Sequence, residues 1–142
     1  MMCFRMDKNN YYLQIAKSVA ARSTCVRRQY GAVIVNNDEI IATGYNGGVR
    51  GGKNCIDLGH CPRINMPHNS GNYSDCIGVH AEQNALISAA RRDMINGELY
   101  LFGLENDKDL EDVEPCPICK KMIINAGIKK VITLKGETIY EG

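Results

Sequence analysis

Two short motifs, each at the start of a predicted helix, constrain the fold of this chain more than any other feature of its sequence. The first is His-Ala-Glu at residues 80–82, and the second is Pro-Cys-Pro-Ile-Cys at residues 115–119. Cys116 and Cys119, three residues apart on a first helical turn, can direct both sulfurs at one ion, and the positive end of the helix favours their thiolate form. His80, from a neighbouring helix start, would be the third ligand. The fold must therefore bring these two helix starts together.

The apolar periodicity of the chain predicts helices and strands in the order α, β, β, long loop, α, β, α, β. This order predicts a single α/β domain over residues 1–142, with helices around one mixed sheet and a parallel, right-handed final β-α-β step. The long loop, residues 46–79, is rich in Gly, Asn, Pro, Cys and His. The predicted helices cover residues 7–24, 80–94 and 117–128, and the predicted strands cover residues 31–35, 39–45, 98–104 and 129–134.

Composition limits the classes of partner. The chain carries 17 basic and 16 acidic residues, a formal net charge of +1, so nucleic acid is not favoured and a small molecule is the expected ligand. No segment approaches the ~20 apolar residues of a membrane span, and residues 1–10 contain no signal-peptide core. We therefore expect a soluble, cytoplasmic protein. In that reducing compartment its seven cysteines favour metal ligation or free thiols over disulfides.

Three protein ligands would leave one tetrahedral position open, which is typical of a catalytic zinc site. Zinc lowers the pKa of water at that position toward ~7, and Glu82 is placed to move protons without binding the metal. His-x-Glu followed by Pro-Cys-x-x-Cys is the signature of the zinc nucleobase deaminases, which release ammonia. In the alternative interpretation Cys116 and Cys119 form half of a structural zinc knuckle, or a redox pair, and Glu82 is a favourable first-turn acid.

Four segments resemble the cytidine deaminase superfamily, and within it most closely the deoxycytidylate deaminases. They follow in the family's order over nearly the whole chain: RRQYGAVIV (27–35), IIATGYNGGVRGGKNC (40–55), CIGVHAEQNAL (76–86) and PCPICKKMIINAGIKKVI (115–132). The resemblance implies a three-layer α/β/α fold, a single mixed sheet with helices on both faces. It also implies zinc at His80, Cys116 and Cys119, proton transfer by Glu82, and hydrolysis of deoxycytidine monophosphate (dCMP) to deoxyuridine monophosphate (dUMP), the precursor of thymidylate.

The resemblance further assigns substrate contacts to three residues. Asn46 and Arg28 match positions that contact the sugar or phosphate of a nucleotide, and the main-chain N–H of Ala81 would donate to the carbonyl oxygen of the base. The alternatives are a turn-forming asparagine and a solvated arginine.

Two accessory sites are implied by the same resemblance. A second, structural zinc would use Cys25 and Cys55, and the alternative is that these are ordinary buried or free thiols. A deoxynucleoside triphosphate regulator, with Mg²⁺, would bind the glycine-rich basic loop that contains Gly48, Arg50 and Gly52. The remaining donors for the second zinc would come from Cys61 and Cys76, with His60 and His68 nearby.

Family members also commonly assemble, so we expect a homo-oligomer such as a hexamer.

Two departures from the family pattern bear on the substrate. Residues 105–114 form a longer and more acidic link than the family has before its Pro-Cys pair, and this charge would repel a phosphate if it faced the site. The chain also continues only briefly after Leu134, where some members have a further helix and strand. Other possible substrates are a free nucleoside, a modified base or a tRNA adenosine. A non-catalytic zinc module that binds a partner is the alternative outside enzymes, and it has no use for Glu82.

Overall fold

The computed structural model describes residues 5–59 and 78–140. The helices are α1 (Lys8–Ala20), α2 (Cys55–Leu58), α3 (Ala81–Ile87), α4 (Arg91–Met94) and α5 (Pro117–Asn125). The strands are β1 (Gln29–Asn36), β2 (Glu39–Tyr45), β3 (Gly47–Gly48), β4 (Gly78–Val79), β5 (Glu98–Glu105), β6 (Lys108–Asp109), β7 (Lys130–Thr133) and β8 (Gly136–Ile139). Across this described part of the chain, no helix is long and apolar enough to cross a membrane.

The main sheet is mixed and has the order β2-β1-β5-β7-β8, with the short β6 added to the end of β5. β1 pairs antiparallel with both β2 and β5, whereas β5 and β7 are parallel, as predicted for the last β-α-β step. The β1–β2 turn places Asn37 and Asp38 at φ values of 51° and 62°. Asparagine and aspartate tolerate this left-handed backbone, which suits a tight hairpin. A separate two-stranded sheet pairs β3 with β4.

β1 separates the two apolar layers of the protein. Val33 and Val35 point to the side covered by α1, whereas Ala32 and Ile34 point to the side covered by α3 and α5. This alternation is the two-residue period of a strand that is buried on both faces. Helices therefore lie on both faces of the sheet, and the predicted three-layer α/β/α fold is confirmed.

Several predicted bounds were wrong. The first helix ends at Ala20 rather than at residue 24. The helix predicted over residues 80–94 is divided into α3 and α4, because Ser88 donates its hydroxyl to the carbonyl oxygen of Asn84 and Ala90 has an extended backbone. A side chain that bonds the helix backbone competes with helix continuation in this way. At the end of the described chain, β8 adds an edge strand that the sequence did not predict.

Candidate metal centre and active site

The starts of α3 and α5 meet, as the two motifs required. His80 is the N-cap residue of α3, and its backbone N–H donates to the side chain of Gln83 over 3.0 Å. Cys116 is the N-cap residue of α5, and its sulfur accepts from the backbone N–H of Cys119 over 3.4 Å. Pro117 occupies the first turn of α5, where its missing N–H costs no helical hydrogen bond. Both motifs thus use ordinary capping chemistry to direct their side chains out of the helix start.

Three donor atoms converge at this meeting point. The Nδ1 atom of His80 lies 3.2 Å from the sulfur of Cys119 and 3.5 Å from that of Cys116. Among the residues that the structure describes, these three form the only group of three or more candidate donors, all within 4.8 Å of one another. Nitrogen and sulfur ligands of a tetrahedral zinc ion are about 3.5 Å apart, and zinc prefers this soft donor set. The site therefore fits zinc.

The pKa values of the two thiols are shifted in opposite directions. Hydrogen bonds from Cys119 and His80 outweigh burial and lower the pKa of Cys116 to about 4. The same contact with Cys116, followed by burial, raises the pKa of Cys119. The thiolate form of Cys116 is thereby favoured, and the thiolate is the form of cysteine that binds a metal.

Glu82 is the buried acid of the site, with 5% of its surface exposed. Burial raises the pKa of its carboxyl group, while the charge of His80 acts in the opposite direction, and the carboxyl group also interacts with the thiol of Cys119. A carboxylate with a raised pKa can both accept and return a proton near neutral pH. The carboxyl group of Glu82 therefore lies beside the three candidate metal donors and is shielded from bulk water.

The side chain of Asn46 forms three hydrogen bonds within the protein, more than its position in a predicted loop indicates. Its Oδ1 atom accepts from the hydroxyl of Ser23 at 2.6 Å and from the backbone N–H of Tyr30 at 2.8 Å. Its Nδ2 atom donates to the carbonyl oxygen of Arg28 at 2.9 Å. An amide has two donor hydrogens and two acceptor positions, so one N–H is left over after these contacts. Asn46 can therefore serve a ligand only as a donor.

Arg28 and Tyr30 connect this region to the end of β5. Nη1 of Arg28 lies 3.4 Å from the hydroxyl of Tyr30, and Nε lies 3.5 Å from a carboxylate oxygen of Glu105. Burial raises the pKa of Tyr30, the contact with Arg28 acts in the opposite direction, and the charge of Glu82 adds to the increase. Sequence analysis missed Tyr30, although strand alternation places it on the same face as Ala32 and Ile34.

Ala81 is the first residue of α3 and is fully buried. The N–H at this position has no acceptor within its own helix.

The predicted accessory sites are only partly described. Cys25 is half-buried and Cys55 is buried, and neither belongs to a second group of three donors within the described ranges. Cys61 and Cys76, with His60 and His68, lie outside the described residues.

In the predicted regulator loop, the backbone N–H of Gly48 donates to the side chain of Asn54, and that of Gly52 donates to the carbonyl oxygen of Val49. Arg50 is exposed. These contacts hold the loop in a tight turn.

Comparison with known proteins agrees with this geometry. The family model for the cytidine and deoxycytidylate deaminase zinc-binding region matches residues 6–135. Deoxycytidylate deaminase of Schizosaccharomyces pombe is 38% identical over 91% of this chain, and that of Mycobacterium phage D29 is 35% identical over 90% of it. The match covers 94% of the phage protein but only 37% of the S. pombe protein, and 38% of its Saccharomyces cerevisiae counterpart.

Solved structures give the same result. A crystal structure of dCMP deaminase from the cyanophage S-TIM5, in complex with dCMP and dUMP, superposes with a TM-score of 0.63 at 31% identity. The match covers 91% of this chain and 83% of the cyanophage chain. A three-layer α/β/α fold that brings a histidine and two cysteines together at two neighbouring helix starts is typical of the zinc-binding deaminase domains. The chain belongs to the cytidine and deoxycytidylate deaminase family.

Proposed function

We propose that this protein hydrolyses dCMP to dUMP and ammonia. The observation that carries the proposal is the group formed by His80, Cys116 and Cys119 with the buried carboxyl group of Glu82 beside it. Relatives from yeast and from phage D29 are deoxycytidylate deaminases, and the cyanophage structure holds both dCMP and dUMP. Zinc held by the three donors would supply a Lewis acid that activates water at neutral pH.

Glu82 is the proton carrier of the proposed reaction. Replacement of the 4-amino group of cytosine by oxygen consumes one water molecule, whose protons must reach a ring nitrogen and the departing amine. A buried carboxyl group with a raised pKa can take a proton from water and return it to each of these nitrogens in turn. The main-chain N–H of Ala81 would donate to the carbonyl oxygen of the base, which fixes the ring against Glu82.

The nucleotide beyond the base would meet the segment that leads into β1. The remaining N–H of Asn46 is suited to an oxygen of the sugar, since its other hydrogen-bonding positions are occupied. The guanidinium of Arg28 is the cation that we assign to the 5′-phosphate, because it can donate several hydrogen bonds to phosphate oxygens. Both assignments follow the family resemblance, and the contacts of Asn46 determine the direction of its bond.

We infer one catalytic domain, a cytoplasmic location and a homo-oligomer. A structural zinc at Cys25 and Cys55 would need further donors from outside the described residues. A triphosphate with Mg²⁺ at the loop of Gly48, Arg50 and Gly52 is supported by the loop's charge and tight backbone.

Ammonia release from zinc-loaded protein tests the proposed activity. The substrates are dCMP, deoxycytidine and a tRNA hairpin, and the Glu82→Ala variant is the blank. We expect turnover of dCMP, slower turnover of deoxycytidine and none of the hairpin. Zinc-loaded protein that released no ammonia from dCMP, or a Glu82→Ala variant as active as the native chain, would contradict the proposal.

A further inference from the structure

The acidic link between β5 and the second motif folds back on the protein as a hairpin. β6 pairs antiparallel with the end of β5, and the turn between them places Asn106 and Asp107 at φ values of 52° and 63°. The backbone N–H of Leu110 donates to the carbonyl oxygen of Gly103 at 2.9 Å, and Asp109 forms an ion pair with Lys17 of α1 at 3.0 Å. The link, which we call the acidic hairpin (residues 105–114), is thus anchored at several points.

The anchored hairpin holds a carboxylate against Arg28. The 3.5 Å between Nε of Arg28 and the carboxylate of Glu105 is longer than a good hydrogen bond, and no hydrogen-bond partner for the buried Nε lies among the described residues. The contact is therefore one of charge rather than of directed bonding. Asp112, in the same hairpin, adds its negative charge to that of Glu105 around the guanidinium.

The base of the hairpin also packs against Tyr30, the other neighbour of Arg28. A Cβ atom on Gly103 would come within 2.8 Å of the Tyr30 ring and 2.9 Å of the side chain of Val113. Gly103, at the base of the hairpin, is therefore packed against both Tyr30 and Val113, and this packing holds the base of the hairpin beside the segment that carries Arg28.

We propose that Glu105 competes with the 5′-phosphate of the substrate for Arg28, and so sets how strongly the protein distinguishes a nucleotide from its nucleoside. This inference rests on the proposed function, in which Arg28 receives the phosphate. A guanidinium can bind a carboxylate on one edge and a phosphate on another, but the two anions are then only roughly 7 Å apart and repel each other.

Glu105 also has an effect that favours phosphate binding, because its ion pair with Arg28 restricts the guanidinium to one position. The side chains of Arg28 and Glu105 are 23% and 39% exposed, and ion pairs of this exposure contribute little to order or stability. Repulsion of a doubly charged phosphate outweighs that contribution. Removal of the Glu105 charge should therefore strengthen phosphate binding by about three- to tenfold.

Product binding tests this inference without turnover. Isothermal titration of zinc-loaded protein gives the Kd for dUMP, which carries the phosphate, and for deoxyuridine, which does not. We expect Glu105→Gln to bind dUMP about three- to tenfold more tightly and deoxyuridine as the native chain does. Glu105→Asp keeps the charge and should resemble the native chain. Glu111→Gln, the same change at an exposed position of the hairpin, is the matched control.

A background variant shows whether the effect passes through Arg28. In the Arg28→Gln protein, which should bind dUMP more weakly than the native chain, the further change Glu105→Gln should have less effect than in the native chain. Unchanged or weaker dUMP binding by Glu105→Gln, an equal gain for deoxyuridine, or an equal gain in Glu111→Gln would each overturn the inference. Failure of the proposed function is separate: the native protein would then bind dUMP but release no ammonia from dCMP.

Discussion

A Cβ atom on Gly44 would lie 2.5 Å from the carbonyl oxygen of Ala81 and would overlap the backbone nitrogen of Ala85. β2 and α3 are therefore in backbone contact at the first turn of the helix that carries His80 and Glu82. The side chain of Asn84 strengthens this contact by donating to the carbonyl oxygen of Tyr45 at 2.8 Å. The position of the metal centre relative to the sheet therefore depends on residue 44 being glycine, which has no side chain.

Gly44→Ala should displace α3 and weaken zinc binding. Overpacking of a tight contact typically costs 1–3 kcal/mol, and here the obstacle is backbone, which cannot rotate away. We expect the melting temperature to fall and the zinc affinity, measured by competition with a chromophoric chelator, to fall at least about tenfold, since loosely placed ligands bind metal poorly.

Gly31→Ala is the matched control for this prediction. Its Cβ atom would overlap the backbone of α1 at Ala16, on the opposite face of the sheet. Stability should fall comparably, while the folded fraction keeps its zinc affinity. Equal zinc affinity in the native and Gly44→Ala proteins would show that α3 does not depend on the Gly44 contact.

Glu82→Gln should abolish catalysis without loss of metal. Glu82 moves protons in the proposed reaction, and a positioned general acid–base group contributes typically 10²- to 10⁴-fold to rate. We expect a loss of that order in ammonia release from dCMP. Metal analysis should still find zinc, because the three donors are unchanged.

The same variant should not destabilise the metal-free protein at neutral pH. Burial raises the pKa of Glu82 above that of the unfolded chain. As the pH rises above the unfolded-state pKa, the ionised carboxylate therefore destabilises the folded protein increasingly. Glutamine removes that cost. A clearly lower melting temperature for metal-free Glu82→Gln at pH 7 would show that the carboxylate stabilises the site instead.

The sequence predicted the helix starts because their signals are local. His80 and Cys116 cap their helices, and Pro117 fits only the first turn, so each motif could be placed on its element without tertiary information. The break at Ser88 could not be placed in this way, since the residues around it are good helix formers.

The acidic hairpin was not predicted from the sequence, for a different reason. Its Asn106-Asp107 turn is a hairpin signal, but the sequence analysis predicted only an acidic link at residues 105–114. The contact between Glu105 and Arg28 joins the last residue of β5 to the residue before β1, which are distant in the chain and are brought together by the pairing of β1 with β5. It depends on strand register, which composition does not specify.

Asn46→Asp should destabilise the segment that leads into β1. Aspartate keeps the acceptors for Ser23 and Tyr30, but it loses the donor to the carbonyl oxygen of Arg28 and places a negative charge against it. Loss of one partner in a buried hydrogen bond costs about 1–3 kcal/mol, and because this bond is only partly buried we expect a cost near the lower end of that range. Chemical denaturation should show this decrease in the free energy of unfolding. Ser23→Ala, which removes one of the three contacts, should cost less, and an Asn46→Asp protein as stable as the native chain would contradict a structural role for this amide.

Tyr12 and Asp38 should give the protein a pH range of enhanced stability. The Tyr12 hydroxyl donates to the Asp38 carboxylate at 2.6 Å; this bond raises the pKa of Tyr12 above its ordinary value and lowers that of Asp38. The raised tyrosine pKa contributes stability that is complete below about pH 10 and is lost as pH rises further. The lowered aspartate pKa contributes stability that is present above about pH 4 and is lost as pH falls through the folded-state value.

Tyr12→Phe removes this bond and keeps the ring that packs on Tyr100. We expect a melting temperature lower by about 2–6 °C at pH 7, because one hydrogen bond to a charged group is lost. The difference between the native and variant proteins should shrink below about pH 4 and above about pH 10, where the native pair loses its advantage. Thermal melts from pH 3 to pH 11 measure it. A difference that stays constant across this range would mean that Tyr12 stabilises the protein through packing alone.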